Sequence, residues 1–135
     1  ILYLFGGVTG ALMSLWWNPT VTGVGASGAI FGLLGAMLAI YARFRSDFPP
    51  LIRRQYISWL KQLLLLNLFF SLMPGIDMAA HVGGLIGGLV LGLIMATSPY
   101  QQKPTPRWML PAAAAVVAVT AWIGSGIIAR IPLSM

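Results

Sequence analysis

Apolar positions along this chain fall into five blocks, at about residues 1–17, 27–42, 56–73, 78–97 and 108–128. The gaps between them hold most of the Pro and charged residues. At 1.5 Å per residue, about 20 helical residues cross the roughly 30 Å hydrocarbon layer of a bilayer. Blocks three to five fit that length. The first reads as cut short at its start and stops at Asn18-Pro19, a helix-ending pair. The second is short. A short helix can begin inside a membrane when the chain leading into it is buried in protein or lines a wet cavity. That chain is 19–26, uncharged and containing Gly and Thr. No internal repeat and no secretory signal peptide is visible. The chain opens on Ile1 within an apolar run, and it reads as a fragment of a longer protein.

Composition turns these blocks into a class. Of 135 residues, 59% are hydrophobic and only 7% are Asp, Glu, Lys or Arg. Soluble domains average about 45–50% and 25%. Ten charged side chains cannot face a whole globule to water, so the surface must face lipid. Disorder is excluded, because disordered chains are poor in apolar residues and rich in charge. The expected fold class is therefore all-α, a polytopic transmembrane helical bundle. With no Cys, one His and two acids, the chain offers no disulfide, zinc-thiolate or iron–sulfur chemistry. No metal and no cofactor are expected.

The net charge of +6 suggests nucleic acid until the charges are placed. Arg43, Arg45, Arg53, Arg54 and Lys61 cluster in or beside one interval, Lys103 and Arg107 in another, and Arg130 stands alone. Basic residues in short gaps between apolar blocks follow the positive-inside rule, whereas a nucleic-acid footprint needs a basic face with interleaved aromatics. No nucleic-acid partner is expected. Two helices separate the basic gaps 43–54 and 101–107, so both can lie on the cytoplasmic side. The gaps 18–26 and 74–77, with no Lys or Arg, then face the other side. Trp16, Trp17, Tyr100 and Trp108 suit the aromatic belts at the membrane interfaces.

This topology brings two polar residues to one depth. Ser27 precedes Arg43, and His81 precedes Thr97, by the same 16 residues. That is roughly 24 Å of helix in each case. Sequence separation did not require the match. Gly25-Ala26-Ser27-Gly28 reads GxSG; taken alone, such a pattern is more often a small-residue turn that packs helices. The Gly-x-Ser-x-Gly elbow of α/β-hydrolases needs a preceding strand, and none is available. His81 is the only histidine. A histidine in a membrane span is costly and is a functional candidate by default, although it can also be a packing residue bonded to a carbonyl. Gly84 and Gly88, and Gly83 and Gly87, are spaced so that helix backbones can approach closely. Ser27, Phe31 and Gly35 share one helical face, with Gly28 and Gly32 beside it. Two smooth faces can thus bring the serine and the imidazole together. Asp77 sits where the N-cap of the fourth helix belongs. Asn67 reads as interhelical glue or a partner of a local carbonyl. Met73-Pro74-Gly75-Ile76 is a tight loop that could cap a site or be a plain turn.

Val24-Gly25-Ala26-Ser27-Gly28-Ala29-Ile30-Phe31-Gly32-Leu33-Leu34-Gly35, followed by Ala80-His81-Val82-Gly83-Gly84-Leu85-Ile86-Gly87-Gly88, closely resembles the rhomboid intramembrane serine proteases. The GxSG pattern matches at Gly25, Ser27 and Gly28. The family's AHxxGxxxG pattern matches at Ala80, His81, Gly84 and Gly88. The resemblance covers residues 1–98, the family's core helices three to six without the upstream helices. It leaves 99–107 as a cytoplasmic linker and 108–135 as an extra C-terminal transmembrane helix and tail.

The resemblance implies a serine endopeptidase that cuts transmembrane or juxtamembrane segments with a Ser27–His81 dyad and no third acid. Ser27 would be the nucleophile and His81 the base. Phe31 would pack beside the imidazole. Gly25 and the Ser27 backbone N–H would support the oxyanion, and Gly28, Gly32, Gly84 and Gly88 would pack the helices. It implies transmembrane protein substrates and the lipid bilayer as surroundings. The placement of the basic residues, with no targeting sequence in view, suggests a multi-pass protein of a bacterial inner membrane, with an organelle as the alternative and the site toward the non-cytoplasmic side. The family's His and Asn on core helix two and its Trp-Arg pair in the first outer loop are not in this sequence. The alternative is a rhomboid-like protein that binds membrane clients without cutting them; such proteins usually lose one dyad member, and both are present here. A transporter would need intramembrane charges or paired broken helices, which the chain lacks.

Overall fold

Five helices account for the regular structure of the computed structural model, which describes residues 1–17, 19, 26–100 and 106–130. They are α1 (Leu2–Trp17), α2 (Ser27–Phe44), α3 (Pro50–Ser71), α4 (Met78–Met95) and α5 (Met109–Ile128). Gly25 and Lys103 lie outside the described residues, as does most of the 18–26 gap. α2, α4 and α5 are each long and apolar enough to cross a membrane, and α1 is a shorter apolar helix. Many large apolar side chains point outward, among them Leu65, Leu66, Phe69, Trp122 and Ile123. An all-round apolar helix surface is what a lipid solvent permits.

The helices meet where side chains vanish. α2 runs antiparallel to α1 and parallel to α4, and the three share a glycine seam. A Cβ placed on Gly6 of α1 would stand 2.7 Å from the Cα of Gly32 in α2. One placed on Gly10 would stand 2.7 Å from the carbonyl oxygen of Ala80 in α4. Gly84 abuts the backbone of Gly28, and Gly88 abuts that of Gly32. Gly32 thus touches both α1 and α4. In a bilayer, lipid tails are as apolar as leucine, so close backbone packing rather than the hydrophobic effect joins such helices. The spacing of Gly28, Gly32, Gly84 and Gly88 signals this seam in the sequence. The matching Gly6 and Gly10 pair carries the same four-residue spacing and completes it. α5 packs on α1 and α4, where Phe5, Leu91 and Ala113 form a small buried cluster.

α3 departs most from the hydropathy pattern. The apolar block begins near residue 56, but the helix begins at Pro50. Proline suits the first helical position, because the N–H it lacks has no acceptor there. The first two turns therefore take in Arg53 and Arg54, which the pattern leaves in a loop. α3 packs mainly on α2. Tyr56 anchors it by donating to the carbonyl of Met37 at 2.9 Å. Phe48, buried in the connecting loop, meets the rings of Tyr56 and Tyr100, each at 5.2 Å between centroids. Arg43 donates to the carbonyl of Leu93. These contacts gather the 43–54 segment and the chain after α4 at one end of the bundle.

The opposite end is built by two short devices. α3 and α4 are joined by a turn in which the Ile76 N–H donates to the Met73 carbonyl at 3.2 Å. Pro74 and Gly75 fill its central positions, and Gly75 has a φ of 85°, as a type II turn requires. Asp77 then caps α4, its Oδ1 accepting from the Ala80 N–H at 3.0 Å. This satisfies one of the four N–H groups that a helix start leaves without acceptors.

Candidate active site

The glycine seam carries the first turns of α2 and α4 into contact. A Cβ on Gly28 would stand 3.2 Å from the carbonyl oxygen of Ala80. Ser27 precedes Gly28, and His81 follows Ala80, so the two flank this crossing. Ser27 is half-buried, and His81 is 5% exposed. Phe31, one turn after Ser27 and 4% exposed, stacks flat on the imidazole, with centroids 4.3 Å apart and planes at 12°.

The ring nitrogens of His81 have different surroundings. Nδ1 lies 2.5 Å from the Oγ of Ser71, at the last residue of α3. Nε2 is buried and has no hydrogen-bond partner among the described residues. Ser27 and His81 thus stand on either side of the α2–α4 crossing, and no hydrogen bond joins Ser27 to the imidazole. Catalytic hydrogen bonds are often long before substrate arrives and tighten in the complex. Asp77 does not reach the imidazole: its Oδ1 caps α4, and its Oδ2 has no partner among the described residues. The nitrogen that a triad acid would hold is held by a hydroxyl instead.

Ser71 itself belongs to a short polar ladder on α3. Its Oγ donates to the carbonyl of Asn67 at 2.7 Å. The Asn67 side chain donates to the carbonyl of Leu63 at 2.8 Å, a local partner rather than another helix. Sequence reasoning missed Ser71 as a member of the site. The signal was present: Asn67 and Ser71 are polar, one turn apart, in an otherwise apolar stretch that precedes the His81 helix. Trp16 and Trp17 are exposed, pack edge to face with centroids 6.2 Å apart, and take no part in the site.

Fold and site together define a multi-pass α-helical membrane protein with a buried imidazole between hydroxyl-bearing helix ends. The Rhomboid domain family matches residues 1–98. The chain is 36% identical over 118 residues to RHOMBOID-like protein 1 of Arabidopsis thaliana, covering 79% of this chain and 28% of that protein. It is 39% identical over 88 residues to Rhomboid protease GluP of Bacillus subtilis, covering 64% of this chain and 16% of GluP. It is 34% identical over 106 residues to Rhomboid protease AarA of Providencia stuartii, covering 63% of this chain and 38% of AarA. No solved structure matches significantly. The chain belongs to the Rhomboid family. It spans well under half the length of each of these three relatives.

Proposed function

We propose that this chain is the catalytic-helix portion of an intramembrane serine endopeptidase. Ser27 is the nucleophile and His81 the base. The observation that carries the reading is the buried imidazole. One nitrogen is held, the other has no partner among the described residues, and the ring stacks on Phe31, one turn after Ser27 in α2. A weak hydroxyl is activated by an adjacent base. Nε2 takes the Ser27 proton as Oγ bonds to the scissile carbonyl carbon. The protonated ring then gives that proton to the leaving amine as the C–N bond breaks. Water, deprotonated by the same nitrogen, hydrolyses the acyl-enzyme and frees Ser27.

Ser27 is the first residue of α2, so its backbone N–H has no intrahelical acceptor and is a suitable oxyanion donor. The substrate is a transmembrane or juxtamembrane segment of another membrane protein. Its backbone must unwind at the cleavage point, because helical carbonyls are engaged and shielded. The basic residues at the 43–54 end orient that end to the cytoplasm and the site to the opposite face. We place the protein in a bacterial inner membrane on that pattern.

A fluorophosphonate probe applied to the full chain in membranes tests the dyad. The wild type is expected to label, and Ser27→Ala and His81→Ala are expected not to. A folded wild type that does not label would replace this reading with that of a rhomboid-like protein binding membrane clients.

A further inference from the structure

We infer that Ser71 is a positioning residue that locks His81 in the tautomer carrying its proton on Nδ1, which leaves the lone pair on Nε2. The argument is a count of protons. A serine hydroxyl has one proton to donate and two lone pairs to accept with. The Ser71 Oγ lies 2.7 Å from the carbonyl oxygen of Asn67, which can only accept. Without a proton between them, two oxygens would face each other at hydrogen-bond distance. The hydroxyl proton therefore goes to Asn67. The Oγ is also 2.5 Å from Nδ1 of His81. With its proton committed, it can only accept there, so Nδ1 must donate. A neutral imidazole has one N–H, so Nε2 is the acceptor nitrogen. It is also the nitrogen that has no partner among the described residues.

The site around this contact is closed. Ser71 is 3% exposed and His81 is 5% exposed. Phe31 covers a face of the ring. The carboxylate of Asp77, the nearest acid in sequence, is turned to the α4 backbone. Serine thus fills the orienting position that an acid holds in a Ser-His-Asp triad, where the third member fixes the tautomer and the ring's direction. An uncharged orienter suits a membrane site, because a second buried charge is costly there. The relay also ties the end of α3 to the base on α4.

The role in catalysis rests on the protease reading, but the tautomer does not. The test is therefore read in two ways on the full chain in micelles. Uniform 15N-histidine labelling, with the His81 signals identified by their loss in His81→Gln, reports which ring nitrogen is protonated. The neutral wild type is expected to show a protonated Nδ1 and an unprotonated Nε2. In Ser71→Ala the Nε2–H form is expected to appear, and the rate of fluorophosphonate labelling at Ser27 to fall about 10-fold, as for loss of one hydrogen bond that orients a reacting group. Ser71→Thr keeps the hydroxyl and is expected to keep the Nδ1–H form and most of the rate. A wild type with its proton on Nε2 overturns the inference whether or not Ser71→Ala folds. So does a folded Ser71→Ala that retains both the Nδ1–H form and the wild-type rate. A wild type that carries Nδ1–H but does not label upholds the Ser71 assignment while refuting the protease.

Discussion

Replacing Gly88 by alanine tests the seam on which the site depends. The added Cβ would stand 2.5 Å from the carbonyl carbon and 2.6 Å from the Cα of Gly32, and nearer still to its oxygen. Carbon atoms rest at about 3.5–4.0 Å, so α2 and α4 must part by about 1 Å. The obstacle is backbone on both sides, so no side chain can rotate away. Overpacking a tight interior costs about 1–3 kcal/mol. With no flexible atom to yield, Gly88→Ala belongs at the upper end, about 3 kcal/mol. Gly126→Ala in α5 is the control, because its Cβ would meet nothing within 4 Å. There the only change is helix propensity, which favours alanine by up to about 1 kcal/mol. The measurement is reversible unfolding of the full chain in mixed micelles, followed by circular dichroism. The same separation moves Ser27 against His81, and a misplacement of about 1 Å can cost about 100-fold in rate. Fluorophosphonate labelling of Gly88→Ala is expected to drop by that order, with Gly126→Ala unchanged. A Gly88→Ala protein as stable as Gly126→Ala would refute the claim that this seam is at backbone contact.

Two further outcomes follow from the same geometry. Asp77→Ala removes the α4 cap and is expected to cost about 1 kcal/mol in the same unfolding experiment. Asp77→Asn keeps an accepting oxygen and is expected to retain stability and labelling, whereas a large loss of labelling in Asp77→Asn would make Asp77 part of the chemistry. Cysteine introduced as Asp47→Cys, into a chain that has no cysteine of its own, is expected to react with a membrane-impermeant maleimide only from the cytoplasmic side. Reaction from the outer side of intact cells would reverse the proposed orientation.

Class, helix number and approximate helix placement were legible in the sequence, because a bilayer allows so few solutions. Only helices and closed barrels satisfy backbone groups in hydrocarbon, and apolar runs of about 20 residues with almost no charge have the length of a spanning helix, not of a strand. The Asp77 cap and the Pro74-Gly75 turn were legible for a similar reason: each depends on residues a few positions apart. Glycine spacing marked the faces of α2 and α4 that meet, since only a missing side chain allows backbone contact. Hydropathy missed the start of α3, because a helix rooted by Pro50 carries its Arg residues out of the apolar block. Tertiary structure alone decided what His81 touches. Ser71 is ten residues away in sequence and on another helix. Its meeting with Nδ1 depends on where the Pro74-Gly75 turn returns the chain and on how α3 leans on α2. A hydrogen bond between side chains of two helices is set by the relative placement of their axes to a few tenths of an ångström, and no periodicity within one helix encodes that placement.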